Sequence, residues 1–372
     1  MQDLLWVSRL SWSAPLISYC VVALILIITI LAAKSSWDRS RRKTNLVKQC
    51  AQEPVLHVLF ESELGHHNDI AQMLAELMDQ SECPTRLQVH ILEPVSSIKA
   101  IDLLHPALVR ASEGLPRYAT FFKDHVHILK VHQSRKLVGP KAMQHLLSSL
   151  GDVLAPTDAV MWMPHMSKVE ERWDAFVRKD FASIGLKSLL VFPLCASQPS
   201  VTSRQSAGHF FAMDDSLRFS TKPMSRSAIT PSIGLSFAHP FAGCAQTVRQ
   251  LVDACVELEV EEDLSISFLA TSLGFNFYHG SSALACKDLR RRLTNRRAEL
   301  ASLFRLFAMF DEPSVRDWLE TEALSMTVDQ DDIVIFGRGY MGMSRESSMQ
   351  EILVKWGSQE AFETEREALK YG

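Results

Sequence analysis

The chain has 372 residues, a formal net charge of −4 and an apolar share of 47%, enough to bury a sizeable core. The slightly acidic balance supplies no global field for nucleic acid, so a nucleic-acid partner is excluded from the reading. Seven cysteines at 20, 50, 83, 195, 244, 255 and 286 form no CxxC and no Cys/His cluster, which argues against structural zinc. Their scatter suits reduced, buried thiols at least as well as a disulfide framework and does not choose between them.

Residues 1–13 read as a short N-terminal tail. Ala14 to Ala33 is then a twenty-residue run without a charge, about 30 Å long as a helix and sufficient for one bilayer core. Pro15 falls in its first turn, where the missing N–H costs little. A cleaved signal peptide is the competing reading, but the run exceeds a signal-peptide core and no small-x-small site closes it before Lys34. The expectation is a single-pass membrane anchor.

Residues 34–52 form a polar, basic stem with Lys34, Arg39, Arg41, Arg42, Lys43 and Lys48 against Asp38. Positive charge beside a span favours the cytosolic side. No Asn-x-Ser/Thr sequon occurs in the chain, which agrees with that side.

The folded domain is expected over 53–372. Pro54–Phe60 reads as an apolar strand. Asn68–Gln80 is an amphipathic helix with Ile70, Met73, Leu74 and Leu77 at spacings of three and four. Arg86–Leu92 follows as a strand, making a parallel strand–helix–strand unit. Val126–Val131 is the next strand, and Gly139-Pro140 opens a helix to Leu150, with proline at a first-turn position. Ala159–Met163 is a strand, Trp173–Ile184 a helix and Ser188–Leu194 a strand. Ser197–Ser236 is Ser-, Thr- and Pro-rich and reads as loops. Pro240–Glu257 reads as helical and Leu264–Tyr278 as strand-like. Lys287–Phe310 reads as a basic helix and Ser344–Tyr371 as a helical tail with a break at Trp356-Gly357. The alternation predicts an α/β fold with a mostly parallel sheet.

The sequence blocks Glu82-Cys-Pro-Thr-Arg-Leu-Gln-Val-His-Ile-Leu-Glu93, Gly139-Pro-Lys-Ala-Met-Gln144, Met163-Pro-His165, Trp173-Asp174, Ser272-Leu-Gly-Phe-Asn-Phe277, Ala298-Glu299 and Arg305-Leu-Phe307 follow one another in a fixed order. Together with Gly339–Met343 and Glu351–Ser358, they resemble a family of GlcNAc-type glycosyltransferases. That family includes enzymes acting on hydroxyproline of a ubiquitin-ligase adaptor and others acting on mucin-like threonines, and this chain resembles a divergent member. The resemblance implies a GT-A-like single domain preceded by one transmembrane helix. It implies transfer of GlcNAc or a related sugar from a nucleotide-sugar, UDP-GlcNAc, to a protein hydroxyl. The alternative is a catalytically degenerate relative serving as a binding partner or scaffold. A Golgi-type transferase would place the domain in the lumen, against the charge count, so orientation stays open.

The resemblance also assigns roles. Gly139, Pro140, Gln144, Trp173, Asp174 and Arg305 match nucleotide-sugar positions, His165 a divalent-cation (Mn or Mg) position, and Glu299 a base that would orient the acceptor hydroxyl. The sequence departs from the family at telling points. Gly65–Asp69 replaces a Tyr-Arg-Asp turn, Gln144 replaces an arginine, and Met163 replaces the metal-binding aspartate. Hard cations prefer carboxylate oxygen, so His165 beside Met163 is a poor site unless Asp158, Glu170, Glu171 or Asp174 supplies the oxygen. His66-His67 with Asp69 could make a metal pair, though adjacent side chains point apart. The Arg290–Arg292 and Arg296-Arg297 clusters could hold diphosphate or simply face solvent.

Overall fold

A computed structural model describes residues 50–61, 67–95, 104–132, 139–163, 167–192, 208–213, 219–224, 229–237, 239–255, 263–280, 285–286, 351–352 and 354. The chain divides into two units, Met1–Glu53 and Pro54–Gly372. In the first, Cys50–Gln52 are helical and Cys50 is disulfide-bonded. Residues 14–33 lie outside the described residues, among which no helix is long and apolar enough to cross a membrane.

The second unit opens with β1 (Leu56–Glu61), α1 (His67–Asp79) and β2 (Leu87–Val95). Two helices that the sequence reading left out follow, α2 (Leu104–Ser112) and α3 (Pro116–His125), before β3 (Val126–His132). Then come α4 (Gly139–Leu150), β4 (Ala159–Met163), the two-residue β5 (Ser167–Lys168) and α5 (Trp173–Phe181). The next strands are β6 (Ser188–Val191), β7 (Gly208–Met213), β8 (Phe219–Met224), β9 (Thr230–Ser232) and β10 (Phe241–Cys244). The described part ends with α6 (Ala245–Cys255), α7 (Asp263–Ser272), β11 (Asn276–His279) and β12 (Ala285–Cys286), apart from a helical fragment at 351–354.

Eight strands make one sheet in the order β3-β2-β1-β4-β10-β6-β11-β9. The half formed by β3, β2, β1 and β4 is parallel throughout. In the other half β10 runs antiparallel to both β4 and β6, β11 is parallel to β6, and β9 antiparallel to β11. The sheet is therefore mixed, not mostly parallel as expected. The reversal comes from Phe241–Cys244, read as the start of a helix. These residues instead run back through the sheet and pass straight into α6, whose first amides reach Asp158 O and Pro156 O at 2.9 and 3.0 Å.

Two further expectations are corrected. The Ser-rich segment holds the β7–β8 hairpin and β9, not loops alone. Leu264–Ser272 is a helix, not a strand. It is buried on every side, so it shows no amphipathic period. Three of its hydroxyls bond to backbone: Thr271 donates to Ser267 O at 2.7 Å and Ser272 to Leu269 O at 2.7 Å, while Ser267 exchanges hydrogen bonds with the backbone of Leu235. Pairing of this kind lets serine and threonine sit inside a helix core.

The sheet buries both faces. On one, α4, α6 and α7 cover Leu59, Leu92, Val160, Trp162 and Val191. On the other, α1, α2, α3 and α5 cover Val58, Phe60, Ile91, Met161 and Met163. Adjacent residues on a strand point to opposite faces, so Trp162 and Met163 belong to different cores. Trp162 completes its side by donating to Phe237 O at 2.8 Å. Cys83 is disulfide-bonded, whereas Cys244 and Cys255 are free and buried; the cysteines thus divide between the two uses the sequence left open.

Candidate functional site

Strand order reverses between β1 and β4: the chain runs outward through β2 and β3, then returns to β1's other side. In open α/β sheets such a reversal leaves a crevice at the strands' carboxyl ends, where ligands bind. Here that edge is formed by Phe60-Glu61, Glu93 and Met163, with Phe60 and Met163 in register. The amino end of α4 arrives at the same edge after β3, because α4 must cross β1 and β2 to deliver β4. Gly139 takes φ +53°, a conformation natural to glycine, and both Gly139 and Pro140 are buried.

The expected site residues separate into two groups. Gly139, Pro140 and Gln144 belong to α4 on one face of the sheet; Gln144 donates to Asp253 Oδ1 at 3.3 Å, tying α4 to α6. Trp173 and Asp174 open α5 on the other face. The Trp173 side chain is wholly buried and donates to Leu77 O at 3.1 Å, one of the carbonyls that the end of α1 leaves without a helical partner. Asp174 accepts from the amides of Glu82 and Cys83 at 2.7 and 3.0 Å and from Arg178 at 2.5 Å. Burial alone would raise the Asp174 pKa, but Arg178 and the Glu82 amide outweigh it and the net shift is downward. Both carboxylate oxygens are engaged by protein donors. Beside them Arg172 adopts φ +63°, its amide reaching Gln80 O at 2.6 Å and its guanidinium pairing with Glu82 at 2.5 Å. His165, Glu299 and Arg305 lie outside the described residues, as do residues 290–297.

Glu93 has no role assigned by the resemblance. It lies near the carboxyl end of β2 and is 95% buried. A carboxylate directly after the apolar pair Ile91-Leu92 is the available signal, since buried acids are rare without a partner. At the same edge of the sheet's other half, His279 ends β11 and His239 precedes β10. Burial lowers both imidazoles to a pKa of about 4, so both are neutral at physiological pH.

A divalent cation is not fitted by the described residues. Met163 is fully buried among apolar side chains at the position where the resemblance wants a carboxylate. Among the described residues no three His, Cys, Asp or Glu side chains converge as a metal-binding group. Asp158, offered as a substitute oxygen, stands before β4 at the opposite end of the strand and accepts from the Ala155 amide at 2.7 Å. Asp174 is committed as described. His66 lies outside the described residues.

No protein-family model and no curated protein sequence matches the chain. Among solved structures, the fold is similar to that of GalNAc-T7 with UDP, GalNAc and Mn2+, at 12% identity and TM-score 0.54, covering 81% of this chain and 56% of that one. The chain thus spans little more than half of that protein's length. It also aligns with the mannosyltransferase PcManGT from Pyrobaculum calidifontis in complex with GDP-Man and Mn2+, at 12% identity, TM-score 0.41, and 82% and 80% coverage. For S. aureus TarS the values are 11%, 0.37, 78% and 71%. The likeness to GalNAc-T7 is one of fold: the chain has a mixed α/β, single-sheet fold that resembles GT-A glycosyltransferases. It does not reach the narrower GlcNAc-transferase family.

Proposed function

We propose that the chain is a glycosyltransferase that moves GlcNAc or a related sugar from a nucleotide-sugar, UDP-GlcNAc first, to a protein hydroxyl. The observation that carries this reading is the strand-order reversal between β1 and β4, in a fold similar at TM-score 0.54 to that of GalNAc-T7 with UDP, GalNAc and Mn2+. The crevice at Glu61, Glu93 and the start of α4 receives the nucleotide. Glu93 accepts a hydrogen bond from a base N–H or ribose hydroxyl, and Gly139-Pro140 brings helix amides toward the diphosphate. Gln144 and Arg305 complete the donor side; Trp173 and Asp174 serve the frame, fixing the Glu82-Cys83 turn that leads into the amino end of β2, at the opposite edge of the sheet. Glu299 takes the proton of the acceptor hydroxyl, whose oxygen forms the bond to C1 as the bond from C1 to the diphosphate breaks. Mn2+ accompanies the nucleotide in the GalNAc-T7 structure; a cation in this chain would depend on His165, and no step is drawn through it.

The burial of Met163 in an apolar core favours a second reading, a degenerate relative that keeps the fold and binds an active transferase. Turnover of UDP-sugars by the purified full-length chain, followed by mass spectrometry with a hydroxyl-bearing peptide, decides between them. Nucleoside diphosphate release with sugar on the peptide supports the enzyme. Nucleotide binding without release supports the relative.

The Ala14–Ala33 run anchors the protein in a membrane as a single-pass segment. Disulfide-bonded Cys50 and Cys83 support an oxidising, luminal side for the domain, against the basic stem. Protease added outside sealed microsomes should leave the domain intact.

A further inference from the structure

Opposite the candidate site, at the amino ends of β1, β2 and β3, three histidines stack in a row. His57 and His90 lie with ring centroids 5.4 Å apart and planes 15° from parallel; His90 and His127 lie 5.1 Å apart at 16°. The register makes the row: His90 pairs with His127, and His57 stands two residues before Leu59, the partner of His90. His57 and His90 are buried, and His57 Nδ1 is 3.1 Å from His90 Nε2.

The proton positions follow from the surroundings. His57 Nε2 faces Asp158 Oδ2 at 3.8 Å, so its N–H points to that carboxylate. Nδ1 of His57 is then the acceptor, and His90 Nε2–H donates to it. His90 Nδ1 is left as a buried nitrogen with no hydrogen-bond partner among the described residues. A further proton has two places to go. On His57 Nδ1 it sets two N–H groups against each other. On His90 Nδ1 it creates a buried cation with no acceptor, between two other imidazoles.

Among the described residues few other groups face the row. At its outer end His127 Nε2 donates to Gln88 Oε1 at 2.7 Å, and Gln88 Nε2 is 3.1 Å from His125 Nδ1. On the helix side, α4 buries Ala142, Met143, Leu146 and Leu147; Lys141 and His145 are not among its buried residues. Among the described residues, Asp158 is the carboxylate that acts on the row, opposing the effect of burial on His57.

We propose that His57, His90 and His127 form an acid-sensitive clasp on the β1–β2–β3 half of the sheet, closed while a single proton is shared between His57 and His90 and released when a further proton enters. The inference stands apart from the glycosyl-transfer reading. Burial, then the neighbouring imidazoles, brings His90 to a pKa of about 3. Burial lowers His57 despite the opposing pull of Asp158, and it lowers His127 with help from His125. An unfolded histidine titrates near 6.5. Folded pKa values below that mean the clasp's contribution is complete above about pH 6.5 and is lost as pH falls toward 3. Strands β1 and β2 carry Glu61 and Glu93 at their other ends, so opening loosens the crevice side of the sheet as well.

The test is hydrogen exchange on the full-length chain in detergent, from about pH 7.5 to about pH 5.5, corrected for intrinsic exchange. The opening equilibrium of β1, β2 and β3 should rise by up to about tenfold per pH unit below about 6.5 for each proton taken up. The β6 amides, on a strand without histidine, should change less, whereas β11 ends at His279 and carries an acid response of its own. H90Q and H57N should flatten this dependence, and H127Q should reduce it. Unchanged protection in the unmodified chain, a uniform loss across the sheet, or the same slope in folded variants each overturns the clasp. If H90Q or H57N fails to fold, the strand-by-strand pattern of the unmodified chain and the slope of H127Q decide the question.

Discussion

Asp174 and Arg178, one turn apart on α5, form a 2.5 Å ion pair in which both side chains are almost wholly shielded from water. The carboxylate also holds the Glu82 and Cys83 amides, and Arg178 donates to Pro54 O at 3.1 Å and Arg86 O at 3.2 Å. One buried pair thus ties α5 to the turn before β2 and to the chain leading into β1.

Removing one partner strands the other charge in the core. Arg178→Met should cost about 3–5 kcal/mol in urea unfolding. A second change, Asp174→Asn, made in the same chain should recover part of that loss, because it removes the uncompensated charge. Single and double variants that unfold at the midpoint of the unmodified chain would show that the pair carries no stability.

The same pair has its own pH window. The folded pKa of Asp174 is depressed, so its contribution is fully present above the unfolded value of about 3.9 and disappears as pH falls through the folded value. The gap in melting temperature between the unmodified chain and Asp174→Asn should hold from neutrality to about pH 5 and narrow below about pH 4. A gap that closes near pH 6 would assign the effect to histidine instead.

How much of this was legible in the sequence depended on burial. Ala159–Met163 is buried on both faces, and parallel strands of that kind appear as unbroken apolar runs. The amphipathic α1 and α4 were equally plain. What escaped was context. Leu264–Ser272 alternates Leu, Ser, Ile, Ser, Phe like a strand, yet Ser267, Thr271 and Ser272 bond to backbone and all its described side chains are buried, so no helical stripe survives. Phe241–Cys244 leads directly into a helix, and only its pairing with β4 and β6 makes it a strand. At the site, Trp173 and Asp174 were visible as a pair, but their bonds to Leu77, Glu82 and Cys83 span 91 to 96 residues, a relationship no local pattern encodes.

Gly280 follows β11 against the ring of Phe192. A Cβ there would come within 2.0 Å of Phe192 Cε1 and 2.7 Å of Cδ1 and Cζ. An aromatic ring in a packed core has little room to give, so Gly280→Ala should cost about 1–3 kcal/mol. Gly243→Ala meets Leu189 Cδ2 at 2.5 Å, the end of a flexible side chain, and should cost less. Thermal unfolding of the two variants tests the order. A reversed order would mean that the Phe192 ring moves freely.

Glu93 separates a nucleotide contact from a packing residue. Glu93→Gln keeps shape and accepting oxygen but loses the charge, whereas Glu93→Leu loses both. If the carboxylate receives a base or ribose donor, calorimetric affinity for UDP should fall about tenfold for Gln, equivalent to about 1.4 kcal/mol, and further for Leu. Stability should fall less than affinity. Unchanged UDP binding in both folded variants would remove Glu93 from the site.

Met163 decides what the end of β4 is for. It pairs with Phe60, and its side chain sits at 0% exposure in the core that also holds Trp173 and Val177. Met163→Leu conserves volume and should cost under about 1.5 kcal/mol, with UDP-sugar turnover unchanged. Met163→Asp places an unpaired carboxylate in that core, and the protein should melt well below the unmodified chain at neutral pH. Manganese then discriminates. Should His165 approach the new carboxylate, the ion will raise the melting temperature of Met163→Asp and leave that of Met163→Leu unmoved. Should the end of β4 serve only packing, manganese will leave both unmoved, and the variant will recover stability as the acid is protonated toward low pH. Loss of turnover in Met163→Leu with stability retained would contradict both readings and give the thioether a direct role at the crevice.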